Sequence, residues 1–167
     1  MKIFVSINST FHCSLERAFK TPMLCDITKV HTGFLFSPKV IGVEEDEGWG
    51  QIGSSKKIIA APSITQSGGF LFMDRIIDRQ ENVKWNLQVD NFQSWMWGFT
   101  KFEGEWITEE VKTNEVVITY NYVLYANKPL FYPINWLFTR VFWKVYMKRV
   151  LENVREMAYD EEPYHYA

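Results

Sequence analysis

A chain of 167 residues with a net charge of −2 and a pI near 5.9 lacks the basic footprint of a nucleic-acid binder. Its Lys and Arg cluster no further than the pairs Lys56-Lys57 and Lys148-Arg149, which read as solvated edges. One domain spanning 1–167 is expected, able to bury about 70% of its extended surface, and the aromatic share of 17% calls for either a wide core or an apolar pocket.

Residues 2 to 11 alternate, with Ile3, Val5 and Ile7 on one face and Lys2, Ser6 and Asn8 on the other, as in a half-buried strand. Met1-Lys2 leads straight into this strand with no leader pattern, and Cys13 and Cys25 are the only cysteines. Reduced thiols and a cytoplasmic location are therefore expected. Ser14 reads as a helix N-cap with Glu16 in the first turn, and Thr21-Pro22 as a second cap with proline at the first helical position. Two short helices should follow each other here.

Strands are then expected over about 39–45, 55–61, 69–79, 83–92, 95–111 and 115–126, separated by short Gly- and Asn-containing turns, so neighbours should pair antiparallel. Parity sorts their faces. Val83, Trp85, Leu87 and Val89 alternate with polar residues and point inward. A two-residue turn at Glu81-Asn82 would place Val89 opposite Asp74 and bring Phe70, Phe72, Asp74 and Ile76 inward; a three-residue turn would exchange Asp74 for Arg75. A three-residue loop from Lys112 to Asn114 would set Tyr120 opposite Trp106 and Tyr122 opposite Gly104. The inward set then includes Met96, Thr100, Phe102, Trp106, Ile118, Tyr120, Tyr122 and Leu124.

From Lys128-Pro129-Leu130 to about Tyr159 the pattern is one long helix, roughly 45 Å at ~1.5 Å per residue. Pro133, Asn135, Arg140 and Lys144 interrupt its apolar run, which argues against a membrane span. At 100° per residue it carries two apolar stripes. Trp136, Trp143, Met147, Val150, Leu151, Val154 and Met157 run its full length and should face the sheet. Leu130, Ile134, Leu137, Phe138, Val141 and Val145 occupy only the first half and need another partner. Cover by nearby loops or the two short helices, a homodimer contact and a membrane surface are the three readings.

The order strand, two short helices, six antiparallel strands and long C-terminal helix resembles the helix-grip fold of the START/polyketide-cyclase (SRPBCC) superfamily. The resemblance rests on Ile3 to Pro22, on the loop Gly48-Trp49-Gly50-Gln51-Ile52-Gly53 before Ser54 to Ala60, and on Tyr120 to Leu124 running into Pro129-Leu130 and Met147 to Glu152. It implies an α+β fold, with a seven-stranded curved antiparallel sheet wrapped around the terminal helix and a hydrophobic cavity between them. Relatives use that cavity for lipids, sterols, polyketides and plant hormones. No catalytic motif of the family's cyclases is present.

Several patterns carry little chemistry. Gly48 to Gly53 matches G-x-G-x-x-G, but a dinucleotide site needs a helix after it, and Lys56-Lys57-Ile58-Ile59 reads as a strand. His12, His31, His165, Cys13 and Cys25 lack paired metal-ligand spacings, so no metal and no cofactor are expected. A Cys25 thiol with His31 as base is formally possible, and a buried inert thiol is the plainer reading. Glu103 and Glu105 share an outward face with Lys101. Asp74 stands out, because parity sets a carboxylate on an apolar inner face, where it is either an acid/base group or the partner of Arg75, Arg140 or a tyrosine.

The sequence thus points to a binder of a small hydrophobic or lipid-like ligand. The expected lining is Phe72, Asp74, Trp85, Leu87, Met96, Thr100, Phe102, Trp106, Tyr120, Tyr122, Trp136, Arg140, Trp143 and Met147. A cyclase- or aromatase-like enzyme using Asp74 and a cavity tyrosine, and a protein-interaction module, are the alternatives.

Overall fold

The computed structural model describes residues 1–35, 37–63, 67–92 and 98–164. Strand β1 (Lys2–Phe11) buries Ile3, Val5, Ile7 and Phe11. Helix α1 (Leu15–Leu24) starts at Ser14, whose Oγ accepts the Arg17 N–H at 3.2 Å. It does not restart at Thr21-Pro22 as the cap chemistry suggested: Pro22 lies inside the helix. A proline there has no N–H for the preceding turn, and the helix closes soon after, with Cys25 N–H donating to the Thr21 carbonyl at 3.2 Å. Helix α2 (Ile27–Val30) has its own cap, Asp26, which accepts from the Thr28 N–H at 2.9 Å and the Thr28 hydroxyl at 2.7 Å.

The strands β2 (Val40–Glu45), β3 (Ser55–Ala60), β4 (Gly69–Gln80), β5 (Lys84–Asp90), β6 (Phe99–Lys112) and β7 (Glu115–Ala126) complete a seven-stranded antiparallel sheet in the order β1-β7-β6-β5-β4-β3-β2. Its curvature comes with bulges, and these decide which side chains face inward. At the β4–β5 hairpin the turn holds three residues, Glu81 to Val83, with Gln80 opposite Lys84. Val83 stands in that turn, 47% exposed, not on the inner face. A shift between Ile76 and Asp78 then restores the register, so Asp74 is opposite Val89 after all. At the last hairpin the turn is two residues, Thr113-Asn114, and a shift between Glu110 and Lys112 again compensates: Trp106 faces Tyr120 and Gly104 faces Tyr122. A Cβ at Gly104 would come within 3.1 Å of both Leu87 and Tyr122, so glycine is what lets these two side chains meet over the strand.

Two further bulges correct the inward set. Ile58 pairs with Phe72 and Ile59 with Phe70, so Leu71 is the extra residue; it is buried, and Phe70 is exposed. Phe99 pairs with Ala126 and Lys101 with Tyr125, which makes Thr100 the extra residue. Phe99 goes inward and Thr100 is exposed.

The terminal helix begins with a 3₁₀ turn, Pro129–Phe131, continues as α3 (Tyr132–Leu137), passes through a π-helical segment, Phe138–Trp143, and ends as α4 (Lys144–Tyr159). Met147, Val150, Leu151, Val154 and Met157 are buried. Behind them, Phe19 of α1 stacks on Trp85 at 4.9 Å between ring centres, the Trp85 indole N–H donates to the Phe19 carbonyl at 2.8 Å, and Phe11 meets Trp106 edge-on at 6.1 Å.

Candidate functional site

The inner faces of β3 to β7, the turn of α1 into α2 and the terminal helix enclose one cavity. Its envelope, open mouth included, encloses about 760 Å³, of which about 70 Å³ accepts the centre of a water-sized molecule. The second figure is the one that decides size. It is several times the roughly 10–15 Å³ that one water requires, and it suits a ring-sized molecule better than a long acyl chain.

Most of the wall is apolar: Leu71, Phe72, Leu87, Val89, Phe92, Phe102, Trp143 and Met147, with Met23 and Ile27 from the helix pair. Rings interlock across it. Phe102 lies edge-on to Trp143 at 5.0 Å, and Tyr122 likewise at 5.6 Å. Into this wall the sheet inserts a cation and an anion. Lys56 on β3 is directly opposite Asp74 on β4, and both line the cavity.

Lys56 is 3% exposed, and its Nζ lies 4.1 Å from the centre of the Trp49 ring, whose indole N–H donates to the Met23 carbonyl at 2.9 Å. Burial lowers the Lys56 pKa, against the pull of Asp74 and Glu45, which favour its charged form. For Asp74, burial pushes the carboxyl up to about 6; Lys56 opposes that shift and Asp90 adds to it. Asp74 keeps some accessible surface, which fits a group that lines the cavity. Its proton therefore comes and goes close to neutral pH.

Around this pair stand hydroxyls and one imidazole. Tyr120 and Tyr122, two residues apart on β7 and so on one face, share a hydrogen bond of 2.6 Å between their hydroxyl oxygens. Burial raises both phenols well above the ordinary tyrosine range. Tyr146 on α4 hydrogen-bonds through its hydroxyl to Nδ1 of His31, 2.6 Å away. Burial raises Tyr146 to about 12, and burial together with Lys56 lowers His31 to about 4. At neutral pH the tyrosines are protonated hydroxyls and His31 is uncharged.

Of the residues singled out from the sequence, Phe72, Asp74, Leu87, Phe102, Tyr120, Tyr122, Trp143 and Met147 come together on this wall. Trp85 and Trp106 are fully buried in the core; Trp106 packs against Tyr120 from behind at 5.1 Å. Thr100 is on the outer surface, where its hydroxyl donates to the Tyr125 carbonyl at 3.3 Å. Trp136, assigned to the sheet-facing stripe, and Arg140, expected in the lining, are exposed. The cause is the π-helical segment: one residue inserted into a helix turns everything before it by about 100°, which rotates Asn135 and Thr139 inward and Trp136 out. Met96 and His165 lie outside the described residues.

Lys56 and Tyr146 were missed, and His31 was considered only as a base for Cys25. Lys56-Lys57 read as a solvated pair, yet Ile58 and Ala60 are buried and period two carries their face back to Lys56. That signal was present in the sequence. Tyr146 stands four residues before Val150 and eight before Val154 on α4, so its inward side was also legible; its meeting with His31 was not, since that depends on α2.

The other candidate groupings do not assemble. The Cys25 thiol contacts the Glu162 carbonyl at 3.8 Å while His31 is engaged by Tyr146, and burial raises the pKa of Cys25. Among the described residues no group of three His, Cys, Asp or Glu side chains is placed to hold a metal ion. The Gly48–Gly53 loop leads into β3 and braces the fold: Gly50 has φ +98°, and a Cβ there would sit 3.0 Å from Leu24, while its carbonyl accepts from the Arg79 guanidinium at 2.8 Å.

Curved sheet, helix pair and gripping terminal helix together make a helix-grip fold. Solved structures bear this out. Ara h 8.0201 superimposes with a TM-score of 0.70 at 13% identity over 96% of this chain and 99% of its own. Norcoclaurine synthase from Thalictrum flavum in complex with dopamine and hydroxybenzaldehyde gives 0.66 at 11% identity, covering 98% of this chain and 90% of that one. TTHA0849 from Thermus thermophilus gives 0.66 at 12% identity over 96% of this chain and 99% of its own. At these identities the superpositions show a shared fold. No family model matches the sequence, and no curated protein matches it.

Proposed function

We propose that this protein binds a small, ring-sized and largely apolar organic molecule that carries an oxygen acceptor, in the cavity between sheet and terminal helix. The observation that carries the reading is the placing of Lys56 and Asp74 on a mostly apolar wall. Burying two charged groups costs several kcal/mol each unless something compensates, and an apolar pair would stabilise the fold better. Apolar walls supply affinity, and the Lys56 amine with the hydroxyls of Tyr120, Tyr122 and Tyr146 supplies direction. The phenolic and carbonyl molecules held by the norcoclaurine synthase complex are of this size and kind.

Native mass spectrometry of the freshly purified protein, with extraction of whatever is bound, tests this, as does quenching of tryptophan emission by hydroxybenzaldehyde. Binding that weakens at least tenfold in Lys56→Met is the expected result. A protein with no bound molecule that also ignores the probe sinks the reading and leaves an interaction module.

One observation favours catalysis as a second reading: Asp74, held at about 6, is matched to proton transfer near neutral pH. Asp74→Asn separates the two. A binder keeps its affinity for the probe, whereas an acid/base enzyme keeps affinity and loses turnover.

A further inference from the structure

The first half of the terminal helix presents its apolar stripe to solvent. Leu130 is 85% exposed, and Ile134, Trp136, Leu137, Val141 and Val145 are each between 47% and 57% exposed. Tyr132 is exposed beside them. Phe138, assigned to the same stripe from the sequence, is instead half-buried against Phe99 at 5.6 Å and Phe142 at 4.9 Å. Exposed apolar side chains scattered singly need no explanation, but a run along a single helical segment does.

Along this stretch of chain the charges are of one sign. Between Ala126 and Glu152 the chain has no acidic residue and five basic ones, Lys128, Arg140, Lys144, Lys148 and Arg149, although the whole chain is net negative. All five are exposed. Among the described residues none of them forms an ion pair, whereas nine ion pairs hold other parts of the surface. Arg140, Lys144 and Lys148 follow each other at i, i+4 and so form a row alongside the row Leu137, Val141, Val145. Long basic side chains beside an apolar row can keep their heads in the polar layer while their stems lie along apolar surface.

We propose that this face docks on an anionic lipid surface, with Leu130, Ile134, Leu137, Val141 and Val145 entering the headgroup boundary and the basic row meeting lipid phosphates and carboxylates. Charge selects this occupant over a second copy of the chain. A two-fold contact sets the same patch against itself, which would bring the basic row Arg140, Lys144 and Lys148 against its own copy. A basic helix with aromatic and aliphatic residues on its apolar side is the arrangement that lies in a membrane interface, buried by ~5–10 Å. Tyr132 and Trp136 are of the type enriched at that depth. No helix among the described residues is long and apolar enough to cross, so the contact is peripheral. The other side of the same helix carries Trp143, Tyr146 and Met147 into the cavity. The docking surface nevertheless stands on exposure and charge alone and does not depend on what the cavity holds.

The test is flotation of the full chain with vesicles of phosphatidylcholine alone and with added phosphatidylserine, at low and high salt, alongside light scattering without lipid. Binding to the anionic vesicles that falls with salt is expected. At about 1 kcal/mol per cation near a charged surface, Lys144→Ala with Lys148→Ala should lower partitioning roughly 25-fold. Leu130→Ser with Leu137→Ser should abolish it while the circular dichroism spectrum stays unchanged. Absence of binding to either vesicle overturns the proposal, and so does binding indifferent to lipid charge. A lipid-independent dimer dispersed by Leu137→Ser overturns it too, in favour of the second copy.

Discussion

The cavity floor and the outer face of the first helical half invert the usual arrangement in opposite senses. On the floor, Lys56 and Asp74 sit where aliphatic side chains would pack; on the helix, Leu130 and Leu137 sit where charged ones would be solvated. The first is local, since Ile58 and Ile76 lie close by on the same two strands and are fully buried. The difference is in what folding costs. The floor loses through desolvation, which leaves a mark on proton affinities; the helix face loses nothing intramolecular, because its side chains have simply not been removed from water.

The largest expected effect comes from the floor, and it is hidden in the unmodified protein. Asp74 has a folded pKa of about 6 against 3.8, so its contribution is full below about pH 4 and is lost as pH rises through 6. His31 has a folded pKa of about 4 against 6.5, so its contribution is full above 6.5 and is lost as pH falls through 4. Over that window the two slopes oppose each other, each amounting to roughly 3 kcal/mol at most. The unmodified chain should therefore show nearly flat stability between about pH 4 and 6 in urea unfolding. Asp74→Asn should expose a fall in stability on acidification, and His31→Asn a rise. If both variants stay as flat as the parent, neither group is buried as described.

A smaller effect isolates the coupling within the pair. Lys56 holds the Asp74 pKa down, against burial. Removing the cation in Lys56→Met should move the Asp74 titration, followed by carboxyl carbon NMR, above its starting value near 6. A one-unit rise corresponds to about 1.4 kcal/mol of lost interaction. A titration that stays put or drops means that the two groups do not sense each other.

How much of this contrast the sequence carried depended on the number of irregularities between a residue and its nearest clear pattern. Trp85, Leu87 and Val89 lie on a regular strand, and alternation alone oriented them. The inward placing of Asp74 was reached through a two-residue turn, whereas the chain makes a three-residue turn and then a bulge at Ile77; the two departures cancel. Nothing cancelled at Thr100 or Phe70, where a single bulge moved Phe99 and Leu71 inward instead. The same arithmetic holds for the terminal helix. Met147 through Met157 follow an unbroken α-helical period to the sheet, whereas Trp136 is separated from that period by the π-helical segment and Arg140 lies inside it. Hydrophobic patterning reports the average twist of an element and is blind to one inserted residue, so errors appear beyond the insertion and not before it. The second stripe holds in part: Leu130, Ile134, Leu137, Val141 and Val145 are exposed, and Phe138 turns inward.

The smallest expected effect is the one that best separates the two regions. Leu137 is 57% exposed, so Leu137→Ser removes little buried area, and its effect on unfolding should stay within about 0.5 kcal/mol, as for surface positions generally. The same change made inside, at Met147, which is 2% exposed and lines the cavity, should cost at least about 2 kcal/mol through lost packing and a buried hydroxyl. Paired urea titrations of the two variants measure the contrast directly. If Leu137→Ser destabilises the lipid-free protein as much as the change at Met147, the stripe is packed against the protein in solution. It would then be part of the core and not a surface that awaits a membrane.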